Sequence, residues 1–200
     1  MNDTNLNLSH TFEFGGKKPS AQELVNILLE TEKKTHKEKK ESSFKEFIGT
    51  WRLGFITGTN NSGKKFTNII GSGFYLPPFI NIYLSYSLVE NTVSLLEYKE
   101  EKGEIANTVN IGLVKITLTG PAKFISKKNI MAFDFNHLTL SVLGIKIYST
   151  DIRGGKSSQK KFYEESIKKQ AFFTYFLREE KLVAARGRGG GLAVWQKKDS

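Results

Sequence analysis

The clearest hydrophobic–polar pattern in the chain is Gly49-Thr50-Trp51-Arg52-Leu53-Gly54-Phe55-Ile56-Thr57-Gly58. Trp51, Leu53, Phe55 and Thr57 alternate with Arg52, Gly54 and Ile56, the period-2 signature of a half-buried strand, with glycine at both ends. Upstream the period changes. Ser20-Ala21-Gln22-Glu23 follows Pro19 as a capping box, and Leu24, Ile27 and Leu28 share one helical face widened by Val25 and Leu29. This predicts a helix that runs into the charged segment 33–41 and docks its apolar face on the chain's own sheet. Residues 1–18 read as irregular, with Phe12 and Phe14 able to pack onto the main body.

Downstream of Gly58 the pattern is strand after strand. Thr59 to Gly63 reads as a turn, and Phe66 to Tyr75 as a strand bent at Gly71 and Gly73 and broken by Pro77-Pro78. Ile82, Leu84, Tyr86 and Leu88 alternate with polar neighbours, and Val93 to Lys99 returns toward a charged hairpin tip at 99–103. Ala106 to Thr119 reads as one long strand closed by Gly120-Pro121. Ala122–Ile125, Met131–Phe135, Leu138–Val142 and Ile145–Tyr148 follow as shorter ones. Residues 150–161 suit an exposed loop, and Phe162 to Gln170 a short helix. Phe172–Arg178, Lys181–Gly187 and Leu192–Trp195 close the chain as strands.

Eight to ten short strands without interleaved helices predict a mainly β chain. The expected fold is an antiparallel up-and-down β-barrel with an N-terminal helix and a short helix before the C-terminal hairpin. Residues 1–43 form the N-terminal irregular segment, helix and charged linker, and 44–200 the barrel domain. A barrel of this size holds one small ligand or is filled by its own side chains. No internal repeat of the solenoid or propeller kind is present.

Composition narrows the chemistry. The chain has 200 residues, no cysteine and a formal charge of +10, with fifteen Phe, seven Tyr and two Trp. Disulfides, cysteine-ligated metals and a cysteine nucleophile are excluded. The lysine runs at 33–34, 37–40, 127–128, 160–161 and 168–169 favour solubility and anionic partners such as a membrane surface. No stretch is apolar enough to span a bilayer as a helix, and the N-terminus resembles neither a signal nor a transit peptide.

Candidate catalytic signals are weak. His10, His36 and His137 are scattered, with no metal-ligand spacing, no nucleophile elbow and no phosphate-binding glycine loop. Glu164-Glu165 and Glu179-Glu180 suit solvation, and Asp134 between Phe133 and Phe135 suits an outward position on a strand. Arg186-Gly187-Arg188 with Gly189–Gly191 lies between apolar strands, so a tight turn is favoured over nucleic-acid binding. Two constellations remain. Gly49, Trp51 and Arg186 are expected to form a structural latch, with the guanidinium over the indole where first and last strands meet. Leu53, Phe55, Phe74, Ile82, Leu84, Tyr86, Met131, Phe133 and Phe135 are expected to line an apolar pocket.

Phe47-Ile-Gly-Thr-Trp-Arg-Leu-Gly-Phe-Ile-Thr57 resembles the opening strand of the plastid lipid-associated proteins, or fibrillins, of cyanobacteria and plastids. Tyr175 to Val194, with Arg186-Gly187 before a glycine run and an apolar strand, is similar to that family's closing hairpin. The resemblance spans roughly residues 44–196. Two departures stand out: an acidic tip of Glu179-Glu180-Lys181 without aspartate, and a longer glycine run at 189–191. The resemblance implies a lipocalin-like barrel that needs no cofactor for chemistry and binds a lipid, carotenoid, quinone or similar apolar molecule. It also implies a position at a thylakoid or lipid-globule surface, on the cytoplasmic or stromal side. The expected function is therefore non-enzymatic binding of an apolar molecule near a photosynthetic membrane. The rival readings are an assembly factor for a membrane-protein complex, with a filled barrel, and a bilin-handling lyase-like barrel.

Overall fold

The computed structural model describes residues 18–38, 42–58, 73–89 and 100–198. Helix α1 (Ala21–Glu38) and a 3-10 turn (Phe44–Phe47) precede β1 (Gly49–Ile56), β2 (Phe74–Tyr75) and β3 (Ile80–Leu88). Then come β4 (Glu100–Ile111), β5 (Val114–Ile125), β6 (Ile130–Phe133), β7 (His137–Val142) and β8 (Ile145–Asp151). Helix α2 (Ser158–Glu164), β9 (Ala171–Arg178), β10 (Leu182–Gly187) and β11 (Leu192–Lys197) complete the chain. The expected turn at 59–63, most of the strand expected over 66–75, the return strand at 93–99 and the packing of Phe12 and Phe14 lie outside the described residues.

Eight strands close into an antiparallel barrel, each paired with the next: β1, β3, β4, β5, β6, β9, β10, β11 and back to β1. Closure leaves no free edge in the ring. The short β2 pairs with the end of β1, and the β7–β8 hairpin attaches to the outer half of β5. The fold class expected from the alternation is the one observed.

Helix α1 begins on the predicted capping box: Ser20 N donates to Glu23 Oε2 at 2.8 Å and Glu23 N donates to Ser20 Oγ at 3.3 Å. Its apolar face lies on the outside of the barrel. Leu24 and Leu28 are fully buried against Phe55, Phe176, Leu182, Ala184, Leu192 and Val194. Helix α2 starts earlier than the predicted 162–170 and ends at Glu164. It is seated by Lys123, a buried lysine on the outer face of β5. Its Nζ donates to the carbonyl oxygens of Phe162, Tyr163 and Glu165 at 3.4, 3.3 and 3.0 Å. A cation at a helix C-terminus satisfies carbonyls that have no intrahelical partner and complements the helix dipole.

The middle of the chain departs from the expected boundaries. The run 106–119 is not one strand. It reverses at Gly112-Leu113, with Ile111 paired to Val114 and Gly112 at φ +57°. Glycine at the first central position of a two-residue loop is the requirement of a type II′ hairpin. Of the charged segment expected at a hairpin tip over 99–103, residues 100–103 form the start of β4 instead. Gly120-Pro121 does not end the strand but lies within β5. There the partner on one side changes from β7, which pairs through Thr119, to β6, which pairs from Ala122. At such a changeover the missing proline N–H costs no ladder hydrogen bond.

Candidate functional site

One end of the barrel is a solid floor. The 3-10 turn is held by Ser43 N donating to Glu46 Oε1 and Phe44 N donating to Glu101 Oε1, at 2.8 and 2.9 Å. It pushes Phe44 and Phe47 into the barrel, both fully buried. The Phe47 ring lies 4.4 Å from that of Tyr175 and 5.1 Å from that of Phe124. Trp51 closes the same end, its Nε1 donating to the Phe47 carbonyl at 2.7 Å. Inside, the hydroxyls of Tyr86 and Tyr175 bond to each other at 2.9 Å. Burial pushes both phenols well above their ordinary range, because a phenolate there would have no water.

An aromatic ladder continues upward. Trp195 lies 6.1 Å from Tyr175, Phe173 5.1 Å from Trp195, Phe133 5.0 Å from Phe173, and Phe135 5.5 Å from Phe133. These rings fill the barrel axis from the floor to a mouth ringed by Phe133, Phe135, Leu76 and Ile82. Two grooves lie outside the barrel. One, of about 640 Å³, runs between α1 and the bend at 127–130, and another, of about 280 Å³, lies beside α2.

Above the mouth the barrel is incomplete on one side. Strands β6 and β9 pair only as far as Phe133 and Ala171, whereas β4 and β5 continue to Ile111 and Val114. The outer halves of β3, β4 and β5, with β7 and β8, therefore rise as a five-stranded wall. Residues paired across antiparallel strands share a face. On the face continuous with the barrel interior stand Ile80, Ile82, Val109, Ile111, Val114, Ile116, Leu118, Leu138, Leu140, Val142, Ile145 and Tyr148. The opposite face carries Lys115, Thr117, Thr119, His137, Thr139, Ser141 and Ser149. Ile111, Val114, Ile116, Ile145 and Tyr148 are exposed, so one side of this wall is apolar and uncovered by described residues. Asn107 shares that face between Leu84 and Leu118, and its Oδ1 is buried with no hydrogen-bond partner among the described residues. An amide facing an apolar surface is the sparse polar contact that orients a ligand.

The predicted pocket residues divide. Leu53, Leu84, Tyr86, Met131 and Phe133 point into the barrel, with Ile82 and Phe135 at its mouth. Phe55 does not point inward. A bulge between Leu53 and Phe55 breaks the alternation, so Phe55 turns to the outer face and packs under Leu24 and Leu28. Phe74 pairs with Ile56 on the short β2 and is exposed. Inward residues that spacing did not single out include Ile105, Phe124, Phe173, Tyr175 and Trp195. The wall was also missed, because a strand with one uncovered apolar face has the same alternation as a buried one.

Arg186 does not latch onto Trp51. Arg186 pairs with Leu192 on β11, whereas Trp51 pairs with Lys197, five residues further along the same strand. At about 3.3 Å per residue they stand roughly 17 Å apart along the strand, at opposite ends. The cation over the Trp51 ring is Lys197, 5.4 Å from its centroid. Gly49, at φ +115°, starts β1 beside Lys197. Arg186 instead clamps α1: its Nε and Nη2 donate to the two carboxylate oxygens of Glu32 at 2.6 and 2.5 Å, and its Nη1 donates to the Gly190 carbonyl at 2.6 Å. The hydrogen bonds to Glu32 raise the Arg186 guanidinium above its usual value, against the opposing effect of burial.

One arrangement on the wall's polar face has the connectivity of a hydrolytic triad. His137 bonds Asp151 through Nδ1 at 2.7 Å and Ser149 through Nε2 at 2.9 Å. The Asp151 side chain is 62% exposed, however, and the imidazole 37%. Water competes for a carboxylate so placed, whereas a triad carboxylate is buried to hold the imidazole in one tautomer. The three side chains are neighbours across β7 and β8, which accounts for their contacts. Among the described residues no group of three or more His, Cys, Asp or Glu side chains is placed to hold a metal ion. None of their helices is long and apolar enough to cross a membrane. Searches of protein-family models, curated proteins and solved structures find no match to the chain.

Proposed function

We propose that this chain is a non-enzymatic binding protein for an apolar molecule. The molecule is held at the barrel mouth and along the wall, not in the middle of the barrel. The observation that carries this reading is the single apolar face that leaves the mouth at Ile82, Phe133 and Phe135 and continues, uncovered by described residues, over Ile116 and Tyr148. Each 100 Å² of apolar surface that a ligand removes from water there contributes roughly 2.5 kcal/mol before ordering costs. Asn107 Oδ1 supplies one acceptor for a hydroxyl group. A lipid, a carotenoid or a quinone has the required form: a long apolar body with a small polar end. The resemblance to plastid lipid-associated proteins points to the same ligands and to a photosynthetic membrane.

The filled floor favours a second reading. With Phe47, Tyr86, Phe124, Tyr175 and Trp195 occupying the axis, the wall would serve an assembly factor by receiving an apolar segment of a protein partner. Native mass spectrometry of protein purified from its own host separates the two. A stoichiometric apolar small molecule that Ile116→Asp abolishes supports the first. A ligand-free chain that co-purifies with one membrane-protein complex supports the second. Covalent bilin transfer to an acceptor protein would replace both with the lyase reading.

A further inference from the structure

Three chain reversals stand side by side at the free end of the wall. They are the turn at Pro77-Pro78-Phe79 leading into β3, the β4–β5 loop at Gly112-Leu113, and the β7–β8 loop at Leu143-Gly144. Register places them in a row: Ile80 pairs with Ile111, Val114 with Val142, and Val142 with Ile145. Leu143 N donates to the Leu113 carbonyl at 3.0 Å, tying two of the tips together. Each tip ends in a large apolar side chain, and Phe79, Leu113 and Leu143 are 75%, 66% and 68% exposed. Ile111, Ile145 and Ile147, directly behind them, are also exposed.

Leu143 is the least expected of these. It adopts φ +53° at the first central position of a type I′ turn, where Asn, Asp or Gly is preferred. A leucine there meets no local backbone need, yet it sets an apolar side chain at the outermost point of the hairpin.

The charge around the tips has one sign. Between residues 106 and 118 the only charged side chain is Lys115, and between 138 and 150 the only one is Lys146; residues 76–83 carry none. Both lysines are exposed. Apolar tips with lysines directly behind them match the change from acyl chains to anionic headgroups across a membrane interface.

From this we infer that the three tips form an insertion edge for an anionic lipid bilayer. Phe79, Leu113 and Leu143 enter the boundary between headgroups and acyl chains, while Lys115 and Lys146 remain among anionic headgroups. The wall then stands upright on the membrane with its apolar face and the barrel mouth beside the lipid surface. This edge does not depend on the ligand proposed above, since the tips lie beyond the mouth residues.

The absence of native cysteine makes the test direct. Single variants Leu113→Cys, Leu143→Cys and, on the polar face, Ser141→Cys are labelled with an environment-sensitive fluorophore in the full chain. They are then mixed with vesicles of phosphatidylcholine containing 30% phosphatidylglycerol. Insertion predicts blue-shifted emission at the two tip positions, quenched by nitroxide-bearing acyl chains, with no acyl-chain quenching at Ser141→Cys, which stays at the level of the lysines. Flotation should weaken roughly tenfold or more for Lys115→Glu/Lys146→Glu and for Leu113→Ser/Leu143→Ser, at unchanged thermal midpoint. Binding of an apolar ligand should persist in the same variants. Tip fluorophores that stay in water on vesicle-bound protein overturn the proposal. So does flotation indifferent to both double variants. Poor labelling of the tips in a sedimenting dimer assigns the edge to a second copy, and poor labelling in a monomer assigns it to the chain itself; either result also overturns it.

Discussion

Two phenol groups inside an apolar barrel, each the other's hydrogen-bond partner among the described residues, should be strongly coupled. Tyr86 and Tyr175 are 3% and 1% exposed, and their hydroxyls meet at 2.9 Å. Tyr175→Phe leaves the Tyr86 hydroxyl buried without its partner. A stranded buried polar group costs about 1–3 kcal/mol, and Tyr86→Phe should cost the same. Tyr86→Phe/Tyr175→Phe removes both groups together and should cost no more than about 1 kcal/mol. Chemical denaturation gives the cycle, and a coupling of at least about 1 kcal/mol is expected. For a chain of this size a loss of about 2 kcal/mol lowers the thermal midpoint by roughly 4–8 °C. Alkaline titration is an independent arm. Both phenols have folded pKa values raised above the unfolded value of about 10, so between pH 10 and the folded values the folded chain holds more protons. Stability conferred by this difference is present below pH 10 and falls as pH rises, by about 1.4 kcal/mol per pH unit for each group. Tyr75, pushed up to about 12 by burial and then by Glu23, adds to the loss. The double phenylalanine variant should keep more of its stability at pH 11 than the parent. Additive single variants, or identical alkaline profiles, would refute the closed floor.

Phe47→Ala removes the plug packed on Tyr175, Phe124 and Tyr86 and should cost about 3–5 kcal/mol in a denaturant titration. Glu32→Gln breaks the clamp on Arg186. With side chains 15% and 33% exposed, the pair lies between surface and buried cases, and about 1–3 kcal/mol should be lost. Hydrogen exchange should then quicken in α1 and leave the barrel amides protected. Gly120→Ala would set a Cβ 2.2 Å from the Asp134 carbonyl oxygen, a backbone clash on the order of 3 kcal/mol that should appear as a lowered thermal midpoint. Ser149→Ala should leave any p-nitrophenyl ester hydrolysis at the level of the parent, because the exposed Asp151 does not organise a triad; a loss of activity would show that the three residues do act as one.

The strands legible in the sequence were those whose alternation runs unbroken between turn residues. Phe172–Arg178, Lys181–Gly187 and Leu192–Trp195 match β9, β10 and β11 to within a few residues at each end. The capping box at Ser20 likewise placed the start of α1. Legibility failed where geometry interrupts the period. The bulge at Gly54 turns Phe55 out of the barrel, and the Gly112-Leu113 reversal splits a β-branched run that reads as continuous. It failed again for long-range partners. Nothing local ties Arg186 to Glu32, 154 residues away, in preference to Trp51. The candidate site was half visible: the mouth residues Ile82, Phe133 and Phe135 follow from alternation. Whether the apolar face above them is covered depends on where β6 and β9 stop, which no periodicity encodes. Leu143-Gly144 and Gly112-Leu113, short loops with a leucine beside the glycine, were the available signal for the exposed tips.

The most direct measurement is hydrogen exchange on the host-purified protein before and after delipidation, read together with native mass spectrometry. A bound apolar molecule is expected, and its removal should expose amides of the outer halves of β3, β4, β5 and β7 and leave the floor around Tyr86 and Tyr175 unchanged. A molecule whose removal loosens the floor, or a ligand-free chain with unaltered exchange along the wall, would contradict this expectation.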